Sequence, residues 1–287
     1  MKRDILRVIE DNMDGFSKGQ RQIARFLMTN YDKAAYMTAA KLGHEVSVSE
    51  STVVRFVIEL GYAGYPEFQR ALQELIRTKL TSVQRMEVTN HLIGDGDVLE
   101  KVLLSDVEKI RHTIDAIDRD AFNDTVKALV NARYIYIIGV RSSSTLAGFL
   151  NFNLRMIFDN VRLIETTSGS DTFEQIMDIG KGDVMVAISF PRYSKRVIHA
   201  VGFAKKAGAD VVALTDSPDS PIAAGASELL VAQSDMASFV DSLVAPLSII
   251  NAMVVAVSRA KQAEVTERLH RLEDIWDQYD VYDKNQG

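Results

Sequence analysis

The sequence predicts an α + α/β protein, an all-α N-terminal domain followed by a doubly wound parallel-sheet domain. Three observations carry this. The length of 287 residues suits two domains at roughly 100–200 residues each. Through residues 1–80 apolar side chains recur at helical spacing and no strand signal appears. From Arg133 onward, short continuous apolar runs alternate with helical stretches, as in βαβ units with a sheet covered on both faces.

In chain order, Ile5, Leu6, Ile9 and Met13 fall on one helical face. Ser17 and Gln20 fit a capping box, opening a helix that buries Ile23, Ala24, Phe26 and Leu27. A short helix from about Thr38 to His44 is followed by the polar break Val46-Ser47-Val48-Ser49. The next helix, from about Glu50 to Leu60, turns Val53, Val54, Val57 and Leu60 inward and stops at Gly61. Pro66, tolerated in a first turn, opens a helix with Phe68, Leu72 and Leu75 on one face. Residues 81–96 read as a polar connector broken by Gly94-Asp95-Gly96. Asp97 can cap a helix to about Ile117, and Asp118 another to about Asn131.

Tyr134 to Ile138 reads as a buried parallel strand ending in Gly139. A helix over about Leu146–Phe158 and a strand at Val161–Ile164 follow. Val184–Ile188 is the next buried strand, then a helix from about Lys195 to Ala207, closed by Gly208. Val211–Leu214 and Glu228–Val231 complete the strands. Glu264–Tyr279 carries Val265, Leu269, Leu272, Trp276 and Tyr279 as an apolar docking stripe for its own domain or a second subunit. The expected domains are 1–80, a connector with lead-in helices at 81–124, and 125–287.

Composition narrows the chemistry. With no Cys, disulfides, Cys-ligated zinc, iron–sulfur clusters and thiol catalysis are excluded. His44, His91, His112, His199 and His270 are scattered without metal-ligand spacing, so neither metal nor cofactor is expected. The charged N-terminus lacks the apolar core of a signal peptide. The longest apolar stretch, Leu243 to Val257, is interrupted by Pro246, Ser248 and Asn251 and is too short for a bilayer. A cytoplasmic location is expected. The net charge of −6 is unevenly spread: residues 1–80 carry 12 Lys+Arg against 10 Asp+Glu, a net of +2, leaving −8 for the rest.

Two segments can carry function. Thr38 to Gly61 suits a helix-turn-helix, in which the start of the second helix enters the major groove. Ser49, Ser51, Thr52 and Arg55 face outward there, hydroxyls for bases or phosphates and a guanidinium for phosphate or guanine. A plain helical hairpin with a solvated polar face fits the pattern equally well. The second candidate is the pair of loops Gly139–Ser144 and Ser189–Ser194, each following a strand at the edge where open α/β sheets bind ligands. Their hydroxyls and helix-first-turn N–H groups favour a phosphate, and Arg141, Arg192 or Lys195 can neutralise it. Alternatively, Ser142 and Ser194 are only N-caps. Neither a Walker loop nor a dinucleotide fingerprint is present. Asp216 can accept a sugar hydroxyl or merely start a turn, and no carboxylate or His stands out as a catalytic acid or base.

These residues resemble a family. Ser17–Ala24, Val48–Phe56 and Leu60-Gly61-Tyr62 are similar to the helix-turn-helix domain of RpiR/MurR-type bacterial transcriptional regulators. Ile138–Ser143 and Ile188–Ser194 resemble the two phosphate loops of the sugar isomerase (SIS) domain those regulators carry. The resemblance covers about residues 1–80 and 125–262 and implies a flavodoxin-like α/β/α sandwich for the second domain. It implies a regulator of sugar or amino-sugar catabolic genes, probing double-stranded DNA at an inverted-repeat operator as a homodimer or homotetramer. A phosphosugar effector is implied, with Ser142, Ser143, Ser189 and Ser194 at the phosphate-binding hydroxyl positions and Ser49, Thr52 and Arg55 at the start of the recognition helix. A repressor is the expectation; a sugar-phosphate isomerase with an appended helical domain is the alternative.

The sequence also departs from the family. Pro191 and Arg192 replace a Ser and a Gly of the second loop, removing a hydroxyl and an N–H donor and adding a cation. Gly43 stands where Ala is typical, which should loosen its helix by up to about 1 kcal/mol. Ser47 stands where the turn glycine is expected, and a capping box from Ser47 to Glu50 is expected to compensate in part.

Overall fold

A computed structural model describes residues 5–79, 81–93, 96–165, 169–235 and 241–282. Leu80 and the expected Gly94-Asp95 break lie outside the described residues. The chain divides into two compact units, one built on residues 1–98 and including Asp241, the other on residues 99–235 and 242–287.

The first unit is helical. Helix α1 (Ile5–Asp11) stops before Met13, which sits in a 3-10 turn over Met13–Gly15. Helix α2 (Lys18–Ala34) is opened by the expected capping box: the Ser17 N–H donates to Gln20 Oε1 at 2.8 Å while Ser17 Oγ accepts from the Gln20 N–H. Helices α3 (Ala39–Glu45), α4 (Glu50–Glu59) and α5 (Tyr65–Lys79) follow. Their apolar faces meet in a core that includes Ile23, Leu27, Leu42, Val53, Phe56 and Leu72, all at 0% exposure. Residues read as a polar connector instead form α6 (Ser82–Ile93). Its Val88 joins the first unit's core, and its Arg85 is buried in an ion pair with Asp241. A helix whose inward side is Arg85 and Thr89, with Val88 as its one buried apolar residue among those described, lacks the apolar periodicity that reveals helices in a sequence.

Helix α7 (Val98–Ala116) leads into the second unit, followed by α8 (Arg119–Asn131), where Asp118 Oδ1 accepts the Asp120 and Ala121 N–H groups. Then come β1 (Ile135–Gly139), α9 (Ser142–Arg155), β2 (Val161–Leu163), α10 (Gly169–Ile176) and β3 (Val184–Ile188). Helix α11 (Lys195–Lys206), β4 (Asp210–Thr215), β5 (Glu228–Val231), α12 (Val244–Ala260) and α13 (Gln262–Gln278) complete it. Helix α9 starts at Ser142, a turn or more before the apolar periodicity at Leu146, because polar residues make its first turn. Helix α10 was not expected from the sequence.

The sheet is fully parallel in the order β2-β1-β3-β4-β5. Every residue of β1 and β3 is buried, which is why both read as unbroken apolar runs. Ile135, Ile137, Val186 and Leu214 face a core shared with α8, α9 and α12; Tyr136, Ile138, Met185 and Ala213 face one shared with α10 and α11. Helices on both faces make the unit doubly wound, with the 2-1-3-4-5 order of flavodoxin-like folds. At the N-terminal end of β3, buried Asp183 accepts from Arg133 Nε and Nη2 at 2.8 and 2.7 Å and from the Gly180 N–H at 2.9 Å. Burial works to raise its pKa, yet these bonds outweigh it and hold the carboxyl below the usual value.

Candidate functional site

The helix-turn-helix is α3, its turn and α4. Thr38 Oγ1 caps α3 by accepting the Lys41 N–H. Ser49 caps α4, its Oγ accepting the Thr52 N–H at 3.2 Å, so the cap is Ser49 and not a box from Ser47 to Glu50. Ser47 instead makes the bend, at a left-handed φ of 57°. Two residues further from the helix, its side chain has no first-turn N–H to serve.

Gly43 has a different role from the loosening read in the sequence. A Cβ there would lie 2.8 Å from the Val48 carbonyl oxygen and 3.3 Å from the Glu50 nitrogen. The Val48 N–H donates to the Gly43 carbonyl at 2.8 Å. The absent side chain lets the turn fold back onto α3, which sets the angle at which α4 emerges.

Ser49, Ser51, Thr52 and Arg55 are brought together on the first turns of α4. Ser49 Oγ lies 2.9 Å from Ser51 Oγ and 2.8 Å from Thr52 Oγ1. Arg55 Nε donates to the Ser51 carbonyl at 3.2 Å, which leans the exposed guanidinium back over this hydroxyl cluster. Thr52 is half-buried, and the other three are exposed. The N-terminal turn of α2 lies alongside, since a Cβ at Gly19 would touch Val48 and Thr52 at 3.4 and 3.5 Å. Two helix N-termini therefore border one surface. Both supply N–H groups suited to phosphate, a contribution from α2 that a linear reading of the motif misses.

In the second unit, β1 and β3 are adjacent, with Gly139 beside Ile188, while β2 lies on the other side of β1. The chain thus reverses its winding direction at β1/β3, and the loops after these strands open at that switch point. Ser143 and Ser189 are buried beneath the edge at 4% and 3% exposure, Ser194 is half-buried, and Ser142 and Arg192 are exposed. Arg141 and Lys195 are also exposed there. The capping alternative holds by position for Ser194 alone. Ser142 lies inside α9, whose N-cap is Arg141, and Ser194 occupies the N-cap of α11 without a side-chain capping bond. Arg141 holds a φ of 59°, a conformation that costs a non-glycine residue on the order of 1–3 kcal/mol and clusters at ligand sites.

Residues 3–79 match the model of the helix-turn-helix domain of the rpiR family, and residues 128–256 match that of the SIS domain. The chain is a transcriptional regulator whose helix-turn-helix domain is of the rpiR family, joined to an SIS domain. The regulator is 26% identical over 282 residues to an HTH-type transcriptional regulator of Caldanaerobacter subterraneus subsp. tengcongensis, covering 95% of this chain and 96% of that protein. It is 24% identical over 284 residues to HexR of Escherichia coli K12, covering 94% and 93%. Among solved structures it superimposes on Vibrio vulnificus NanR, determined with ManNAc-6P, with a TM-score of 0.61, 26% identity and coverage of 96% and 99%. These relatives are regulators, and the chain is a regulator of the same type, not an enzyme.

Two further residues of the regulator's sheet edge were not singled out together in the sequence. The Tyr193 hydroxyl donates to Asp216 Oδ1 at 2.9 Å, and the Thr215 hydroxyl lies 3.2 Å from the same oxygen. This ties the loop after β3 to the end of β4, and no sequence spacing announces a contact across 23 residues. The other named residues are peripheral: His44, His112, His199 and His270 are exposed on helices, and the His91 side chain is outside the described residues. Among the described residues no group of three His, Asp or Glu could hold a metal, and no single helix is long and apolar enough to cross a membrane.

Proposed function

We propose that this regulator is a repressor of sugar or amino-sugar catabolic genes, released or engaged by a phosphosugar bound at the β1/β3 edge. The observation that carries the reading is the pair of serine-bearing loops at the switch point, on a chain whose other unit presents a hydroxyl- and arginine-bearing helix-turn-helix. Ser142, Ser143, Ser189 and Ser194 supply hydroxyls to the phosphate, with the N-termini of α9 and α11 and a neutralising charge from Arg192. The relative solved with ManNAc-6P supports a phosphorylated amino-sugar as the first class to try. Ser49, Ser51, Thr52 and Arg55 contact double-stranded DNA.

A net charge of +2 on residues 1–80 is modest for a DNA binder, so two copies share the task. A homodimer, or a homotetramer built from it, sets two recognition helices about 34 Å apart on an inverted-repeat operator. Self-association is supported by α7, which exposes Leu99, Leu103, Leu104 and Ile114 at 54–69%. The effector shifts DNA affinity because it favours one arrangement of the dimer over another; equal affinity for both shifts nothing.

Substitutions separate the two sites. Arg55→Ala is expected to weaken binding to the gene's own upstream DNA about 10-fold or more, and to leave phosphosugar binding unchanged, measured by anisotropy and calorimetry. Ser189→Ala combined with Ser194→Ala is expected to do the converse. Normal DNA binding by Arg55→Ala would place the recognition surface elsewhere.

A further inference from the structure

The stripe on α13 is only partly packed away. None of its side chains is fully buried, but Val265 packs against the second unit's core, Leu272 and Trp276 are half-buried, and the Trp276 ring meets Tyr282 edge-on with centroids 5.4 Å apart. Leu269 is 40% and Tyr279 71% exposed. The stripe runs Val265, Leu269, Leu272 and Trp276 along the helix and ends on its C-cap, Tyr279, with spacings of 4, 3, 4 and 3. This is the heptad repeat of a coiled-coil seam, in d-a-d-a-d register.

Charge decides which occupant fits. In this register Arg268 takes a g position and Glu273 the e position five residues on. In a parallel, in-register pair, g of one helix faces the following e of the other, so Arg268 of each copy meets Glu273 of the second copy. An antiparallel pair sets g against g and e against e. Within the helix those positions are Arg268 with Ile275, and Thr266 with Glu273, which offer no opposite-charge contact. Arg268 uses Nη1 on Asp159 at 2.6 Å, and a guanidinium carries further donors for a second carboxylate.

We propose that α13 pairs in parallel with α13 of a second copy of this chain, about a two-fold axis running along the seam. The pairing deepens the self-association proposed above and rests on it. At 17 residues, about 25 Å, the helix is too short to hold two chains by itself and acts with an interface elsewhere.

The natural absence of Cys makes the test direct. Leu269→Cys, Leu272→Cys and Trp276→Cys are made singly in the full chain, with Glu267→Cys on the outer face as control. Circular dichroism under reductant verifies that each folds. On mild oxidation of dilute protein, all three seam variants are expected to form a covalent dimer and Glu267→Cys is not, because a two-fold parallel seam sets like-numbered residues within disulfide reach. Cross-linking at only one seam position indicates antiparallel contact and overturns the proposal. No cross-linking also overturns it; light scattering of the unmodified protein then separates the cases, a dimer leaving self-association intact and a monomer removing that as well.

Discussion

Gly139→Ala is expected to destabilise the sheet unit by about 3 kcal/mol and to abolish phosphosugar binding. Its added Cβ would lie 2.3 Å from the Ser143 carbonyl oxygen, 2.8 Å from the Ser143 carbonyl carbon and 3.0 Å from the Ala147 Cβ. Two of these are backbone atoms of α9's first turn, so relief requires the helix to move away from the strand. Overpacking of a rigid site costs typically 1–3 kcal/mol, and this contact belongs at the top of that range. For a unit of this size the loss is about 6–12 °C in Tm. The same displacement moves Ser142 and Ser143, which sit at the start of that turn. Thermal unfolding followed by calorimetry, with phosphosugar titration below the transition, measures both effects. An unchanged Tm would show that the strand–helix contact is not tight.

Phe56→Ala is expected to have a comparable effect on the other unit. Phe56 is fully buried between the helices and meets Phe16 edge-on with ring centroids 5.1 Å apart. Truncating such a ring costs about 3–5 kcal/mol, from lost burial and the cavity left behind. A small helical unit has about 5–15 kcal/mol in total, so DNA binding should fail at 37 °C. Phosphosugar binding at the sheet edge should persist at 25 °C. Loss of both activities together would mean that the units do not fold independently.

How far the sequence alone reached follows from where the signal resides. Strands β1 and β3 were legible to within a residue because burial on both faces forces continuous apolar runs. The caps at Ser17, Thr38 and Asp118 involve partners within three residues, and the first and last were anticipated from spacing. The misreadings have other causes. Helix α6 turns Arg85 and Thr89 inward, so its pattern looks like solvent-exposed linker. Gly43 and Gly139 owe their roles to backbone from another element, at a distance that composition cannot report. The N-cap of α4 lies two residues beyond the serine expected, because Ser47 was needed for the bend. At the sheet edge the two serine loops were legible as neighbours of strands. Their adjacency comes from the strand order, which only the fold supplies, as does the Tyr193–Asp216 contact.

The most direct test of a phosphosugar-controlled DNA regulator is an anisotropy titration of the full-length protein on labelled duplex from its own upstream region. It is run with and without N-acetylmannosamine 6-phosphate, glucosamine 6-phosphate and glucose 6-phosphate, each beside its unphosphorylated parent. Binding should weaken steeply with salt. At least one phosphosugar should shift the apparent Kd by about 5-fold or more, within the usual range of allosteric coupling, while its parent sugar does not. DNA affinity indifferent to every phosphosugar, or shifted equally by the unphosphorylated sugars, would contradict the assignment of the serine loops as a phosphate-reading switch.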